Sequence, residues 1–136
     1  MAALTAPRNT PAALGDVRSF PLPANGKIFA GAMVAITAAG FAAGATATAA
    51  NVTTGRADET VDNTDGANGD ARVKVRRGVF QFANSGGADA IALTEVGKSC
   101  FVVDDQTVAK TDNAGARPVA GTVFDVDAQG VWVEFL

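Results

Sequence analysis

Acid–base and nucleophilic chemistry near neutral pH needs a group poised to gain or lose a proton, and this 136-residue chain contains no histidine. That removes the commonest general base and the imidazole metal ligand together. The serines are Ser19, Ser85 and Ser99, and none lies in a nucleophile-elbow sequence or has a triad partner. Lys98 adjoins Ser99, but neighbours on a strand point to opposite faces, which separates the two groups. Cys100 sits in the apolar run Cys100-Phe101-Val102-Val103 and reads as a buried thiol rather than a nucleophile. Paired carboxylates occur at Asp58-Glu59 and Asp104-Asp105, beside turns or basic strands where a solvated role is ordinary. The Asp-rich loop 62–70 fails the EF-hand pattern. Its ligand positions after Asp62 are Thr64 and Gly66, and its twelfth is Val73, which leaves only a looser site on Asp65 and Asp70. Asn84-Ser85-Gly86-Gly87 lacks the Gly-Lys-Ser/Thr of a phosphate loop. No enzymatic activity, cofactor or metal is expected.

Composition narrows the partners. A net charge of −3 and a pI near 4.7 argue against nucleic acid, whose phosphates call for a basic surface. Residues 28–55 carry no charge, yet they are mostly Ala, Gly and Thr, too weakly apolar to favour a membrane. The first residues lack a basic segment followed by an apolar one, so no secretory leader is expected. One cysteine excludes an internal disulfide. Charged residues make up 18%, with 15 glycines and alanine the commonest residue, a balance that suits burial against copies of itself or a partner.

The elements that would position any surface begin with residues 72–82. Val73 and Val75 alternate with Arg72, Lys74 and Arg76, the period-two pattern of a half-buried strand. After Gly78, Val79, Phe80 and Phe82 are apolar on both faces, so the strand runs into a place covered on both sides. Gly78 marks the switch, where a bend costs least. Residues 55–62 are expected to pair with this strand through a hairpin closing about Ala67. That register sets Val61 against Val73, Asp62 against Arg72, Thr60 against Lys74 and Asp58 against Arg76. The basic run then reads either as a charge-matched strand face or as a contact with an acidic protein partner.

Residues 1–24 hold Pro7, Pro11, Pro21 and Pro23 and read as an extended arm, with Phe20 and Leu22 as apolar anchors and Arg8, Asp16 and Arg18 as its only charges. Residues 25–136 form a single β domain. Residues 27–37 predict one strand covered on both sides, and 41–52 an irregular or extended connection. Short strands follow at 90–93, 99–103, 107–111, 119–126 and 131–136, separated by Gly/Asn/Asp turns. The fold class is all-β, a small sandwich or barrel of short antiparallel strands with an extended N-terminal arm.

Several segments resemble one family. They are Gly26-Lys27-Ile28-Phe29-Ala30-Gly31-Ala32-Met33-Val34-Ala35-Ile36, Gly55-Arg56-Ala57-Asp58-Glu59-Thr60-Val61-Asp62-Asn63, and Gly66-Ala67-Asn68-Gly69 leading into residues 73–82. Val96-Gly97-Lys98-Ser99-Cys100-Phe101-Val102-Val103-Asp104-Asp105-Gln106-Thr107-Val108 and Gly130-Val131-Trp132-Val133-Glu134 continue it. The chain from Gly26 onward is similar to the capsid decoration, or cement, proteins of tailed bacteriophages and prophages, with residues 44–50 the least family-like. The resemblance implies a structural virion protein on the outer capsid surface, assembled in the host cytoplasm, with the major capsid protein and itself (as a trimer) for partners. On that reading Arg8, Arg18, Phe20 and Leu22 are expected to contact the capsid. The strand 27–37 or the Trp132 edge, with Asp58, Asp62, Arg72, Lys74 and Arg76, is expected at a subunit interface or a charge-matched face. The alternatives are another virion part, such as a tail-tube or head-fibre base, and a non-catalytic ligand-binding β module for which Trp132 is the one Trp or Tyr platform.

Overall fold

The alternation at residues 72–76 does produce a strand with one dry face. In the computed structural model, which describes residues 2–136, Val73 and Val75 are fully buried while Arg72, Lys74 and Arg76 are exposed. Met1, the first residue of the expected arm, lies outside the described residues. The fold is almost entirely β, with antiparallel sheets and a small closed five-stranded barrel, as the turn spacing predicts.

The strand belongs to a five-stranded antiparallel sheet. Its order is β1 (Val17–Pro21), β7 (Arg72–Arg76), β5 (Val52–Ala57), β3 (Met33–Ile36) and β4 (Ala42–Gly44). One residue beyond β7, the chain enters β8 (Gly78–Asn84) and a different sheet. There β8 lies between β10 (Thr107–Ala109) and β12 (Gly130–Phe135), and β11 (Val119–Asp127) and β9 (Ser99–Val102) complete the ring. All pairs in the barrel are antiparallel except β8 with β10. Gly78 makes the crossing at φ 141°, a conformation in which a side chain would be strained. A two-stranded ribbon of β2 (Lys27–Ile28) and β6 (Val61–Asp62) stands beside the sheet.

Two apolar clusters result. Leu22, Ile28, Ala32, Val34, Ala42, Ala57, Val73 and Val75 fill one, with Phe20, Ile36 and Val61 against it. The barrel interior holds the other, built on Val102, Val108, Val123, Val131, Val133 and Phe135. Phe82 meets Phe135 edge-on at 5.9 Å between ring centroids, a favoured aromatic geometry. Strand β3 serves both clusters, since Val34 points into the first while Met33 and Ala35 point into the second. The expectation of cover on both faces of residues 27–37 holds for this piece.

Several expectations need correction. Residues 27–37 do not form one strand, because Ala32 N–H donates to the Phe29 carbonyl (3.1 Å) in a turn that separates β2 from β3. Residues 90–93 form no strand, and short 3₁₀ turns occupy Gly87–Asp89 and Leu93–Glu95. The Asn84 amide clamps the backbone of Ile91 from both sides, at 2.8 and 2.9 Å, doing locally what a ladder would. The predicted hairpin about Ala67 is also replaced. Strand β5 does lie beside β7, but with Arg56 opposite Arg76 and Ala57 opposite Val75, two residues out of the expected register. Val61 and Asp62 instead pair with Ile28 and Lys27. The buried Asn63 explains the diversion, for its amide donates to the carbonyls of Pro23 (2.8 Å) and Ala67 (2.9 Å), pulling the loop toward the segment after β1.

The arm is shorter than expected. Residues 17–21 form the sheet's edge strand on β7, where Pro21, which has no N–H, is tolerated at the strand end. Only residues 2–14 are exposed throughout.

Gly55 has φ 151°, and a Cβ there would press into the Arg76 carbonyl oxygen on the neighbouring strand. Gly55→Ala should therefore destabilise the fold by roughly 1–3 kcal/mol, read as a lower urea midpoint. An unchanged midpoint would show that β5 and β7 can separate there at no cost.

Candidate interaction surfaces

Three surfaces carry the residues singled out by sequence. The first is a basic shelf on the outward face of β7. Arg72 is held by β1, its Nε donating to Ser19 Oγ (3.0 Å) and an Nη to the Ser19 carbonyl (2.8 Å). Asp58 takes Arg56 at 2.8 Å and Arg76 at 3.1 Å, so the expected Asp58–Arg76 attraction exists, made diagonally rather than directly across. Hydrogen bonding from Arg56 first, and then from Arg76, holds the Asp58 carboxyl below its usual range. Arg56 stacks over the Phe80 ring at 4.3 Å, tying the sheet to the barrel. Lys74 makes no ion pair among the described residues. Asp62, expected opposite Arg72, is instead 3.7 Å from Lys27; both side chains are nearly half exposed, so solvent screens that pair and it adds little to stability.

The second surface is the barrel corner around Trp132. Strand β12 alternates strictly, with Val131, Val133 and Phe135 buried and Trp132 and Glu134 facing out. Across from it β11 carries a bulge between Val123 and Asp125, which leaves Phe124 without a cross-strand partner and 56% exposed. Trp132 Nε1 donates to Asp127 Oδ2 (2.9 Å), and Asp127 Oδ1 accepts from Gln81, Gln129 and Gly130. Those bonds, the indole's first, lower the Asp127 pKa and fix the indole. Phe124, Asp125, Asp127 and Trp132 line a shallow depression of about 420 Å³. The Asp127–Gly130 turn is legible in the sequence, but the bulge that brings Phe124 to Trp132 has no sequence signal.

The third surface is the N-terminal segment. Arg8 lies in its fully exposed part. Arg18 is exposed and curls over Phe20, 5.1 Å from the ring, while donating to the Thr54 carbonyl (3.3 Å). Phe20 is half-buried against the sheet cluster, and Leu22 is fully buried within it. Neither acts as a free anchor: packing of the edge strand has taken both into the domain.

Elsewhere the polar groups serve the fold. Cys100 is fully buried and burial pushes its thiol up to about 11. Glu95 is 8% exposed, and bonds from the Ala92 amide, the Thr94 hydroxyl and then Lys110 lower its pKa. Asp89 is lowered by the Thr111 hydroxyl and then Arg117, and Asp62 by Thr64. Asp70 of the Asp-rich loop accepts from the Ala67 amide (2.9 Å), closing its own turn. No group of three or more metal-ligating side chains converges among the described residues, and no helix among them is long and apolar enough to cross a membrane. Comparison with protein-family models, with curated proteins and with solved structures gives no match.

The depressed carboxylates set an acid limit. Their folded pKa values lie below the ordinary 3.8 of Asp and 4.5 of Glu, so their stabilisation is complete above those values and is lost as pH falls through the folded ones. The thermal midpoint should be level from about pH 7 to pH 5 and drop below about pH 4. Asp58→Asn should reduce that drop. A midpoint that is level to pH 2 would remove the carboxylates from the stability account.

Proposed function

We propose that this protein is a non-catalytic structural component of a bacteriophage virion, binding the outer face of the head as a trimer and reinforcing the capsid. Its partners on this reading are the major capsid protein and other copies of itself. The observation that carries it is the division of the chain into a β body and the exposed segment 2–14, which contains Pro7 and Pro11. Such a segment loses less entropy on binding than a flexible one of equal length, because proline already restricts it. Three weak contacts on one trimer add through multivalency, so a decoration protein needs no single strong site. The resemblance of residues 26–134 to cement proteins points the same way.

Within the segment Arg8 is the proposed contact with the capsid, supported at its base by exposed Arg18. Leu22 and Phe20 contribute indirectly, by anchoring the strand from which the segment departs. The test is a truncation of residues 1–14, which spares β1, mixed with undecorated, expanded heads. The intact chain should sediment with the heads and saturate at a copy number fixed by icosahedral symmetry. The truncated chain should remain folded and fail to bind. Saturable binding by the truncation would move the contact off the arm, and no binding by the intact chain would remove the decoration reading in favour of a tail-tube or head-fibre role.

A further inference from the structure

A three-fold ring cannot be closed by a patch that pairs with itself; each subunit must offer two different, mutually complementary surfaces. We infer that the basic shelf on β7 of one copy docks against the aromatic, acidic corner of the barrel on the next. This rests on the trimer proposed above and names the two faces that would form it.

The charges are segregated in the required way. Arg72, Lys74 and Arg76 line up on one strand face, successive residues about 6 to 7 Å apart by ideal strand rise, with Asp58 as the carboxylate bonded to Arg76. On the barrel, Asp125 lines the depression with Phe124 and Trp132, Asp127 lies behind the indole, and Glu134 follows Trp132 two residues along on the outward face of β12. Arg76 is already paired with Asp58 and Arg72 is bonded to Ser19, but Lys74 on one face and Asp125 and Glu134 on the other make no ion pair among the described residues. Residues of one sign facing the other sign fix register and disfavour the self-pairing of either patch.

The aromatic pair supplies what exposed charges alone lack. Isolated surface ion pairs are screened by solvent and too weak on their own to hold a ring. An arginine stacked on an aromatic face gains more once water is excluded, and this chain already uses that contact twice internally, Arg56 on Phe80 and Arg18 on Phe20. Phe124 carries no such cation among the described residues although it is 56% exposed and rigidly presented by the bulge. An incoming Lys74, the cation of that row with no ion pair among the described residues, fits it. Trp132, fixed by Asp127, closes the other side of the depression.

The experiment is a charge exchange on the full chain, with mass read by analytical ultracentrifugation and Trp132, the only tryptophan, as an emission probe. The unaltered chain should associate into a closed ring, with an emission shift on dilution and an apparent dissociation constant that rises with salt. Arg72→Glu with Lys74→Glu, and separately Asp125→Lys with Glu134→Lys, should each weaken association by at least about tenfold. All four substitutions in one chain should restore it, because the faces are again opposite in sign; circular dichroism of each variant controls for folding. Association that survives both reversals, or that the fourfold variant fails to regain while folded, would overturn the pairing. So would a chain that is monomeric at all concentrations. Because no heads are present, failure here leaves the head-binding result standing, and failure of head binding leaves this one standing.

Discussion

The structure depends on a strand of four residues being buried on both faces. Met33, Val34 and Ala35 have no solvent exposure, yet they face different cores: Val34 the sheet cluster, Met33 and Ala35 the barrel. In a chain of 136 residues there is not enough apolar volume for two independent cores of ordinary depth. Sharing one strand between them is the economical solution. It demands small side chains where the layers approach, which accounts for the alanines at 32, 35, 42 and 45, all buried around β3 and β4. The Met33 amide also donates to the Asp105 carbonyl of the loop between β9 and β10 at 2.8 Å, so the same strand is bonded to both halves.

The second joint is covalent. At Arg77–Gly78 the chain leaves the sheet and enters the barrel without a loop, so the twist of β7 sets the direction in which β8 starts. Arg56 reinforces the joint by stacking on Phe80 while it pairs with Asp58. This network has an internal logic. Directly opposed Arg56 and Arg76 would repel across the ladder, and Asp58, bonded to both, converts the repulsion into a three-way attraction. The register observed is therefore one that the charges can accept, although the pairs are diagonal.

Much of this was legible in the residues. Period-two alternation gave the faces of β7 and β12 correctly, because a strand's parity is local and survives any change of partner. The two-residue difference between expected and observed pairing of β5 with β7 preserves that parity for Arg56 and Ala57, whereas Val61 and Asp62 leave for the ribbon with β2. Partner choice was less legible. Turn formers at 63–70 are what a tight hairpin needs, and nothing in their types reveals that Asn63 will bond to Pro23, forty residues back. The same blindness explains the arm. Proline marks extended chain, which describes an edge strand as well as a free tail. The pairing of residues 17–21 with β7 and the burial of Leu22 distinguish the two.

The edge itself bears on what the molecule can do. Strand β1 exposes one side of its backbone to other chains, and an unprotected edge of that kind is a route to uncontrolled pairing. Here the strand is only five residues long, ends in Pro21 and is preceded by the exposed segment with Pro7 and Pro11. Those features oppose indefinite strand addition without closing off the surface beside it. The trimer proposed above would gain from that arrangement. Backbone pairing is open-ended, whereas side-chain complementarity between two unlike faces ends when a ring closes. On the proposed trimer the separation of charge between β7 and the barrel corner sets which face meets which, while the rotation between neighbouring copies decides whether the ring closes.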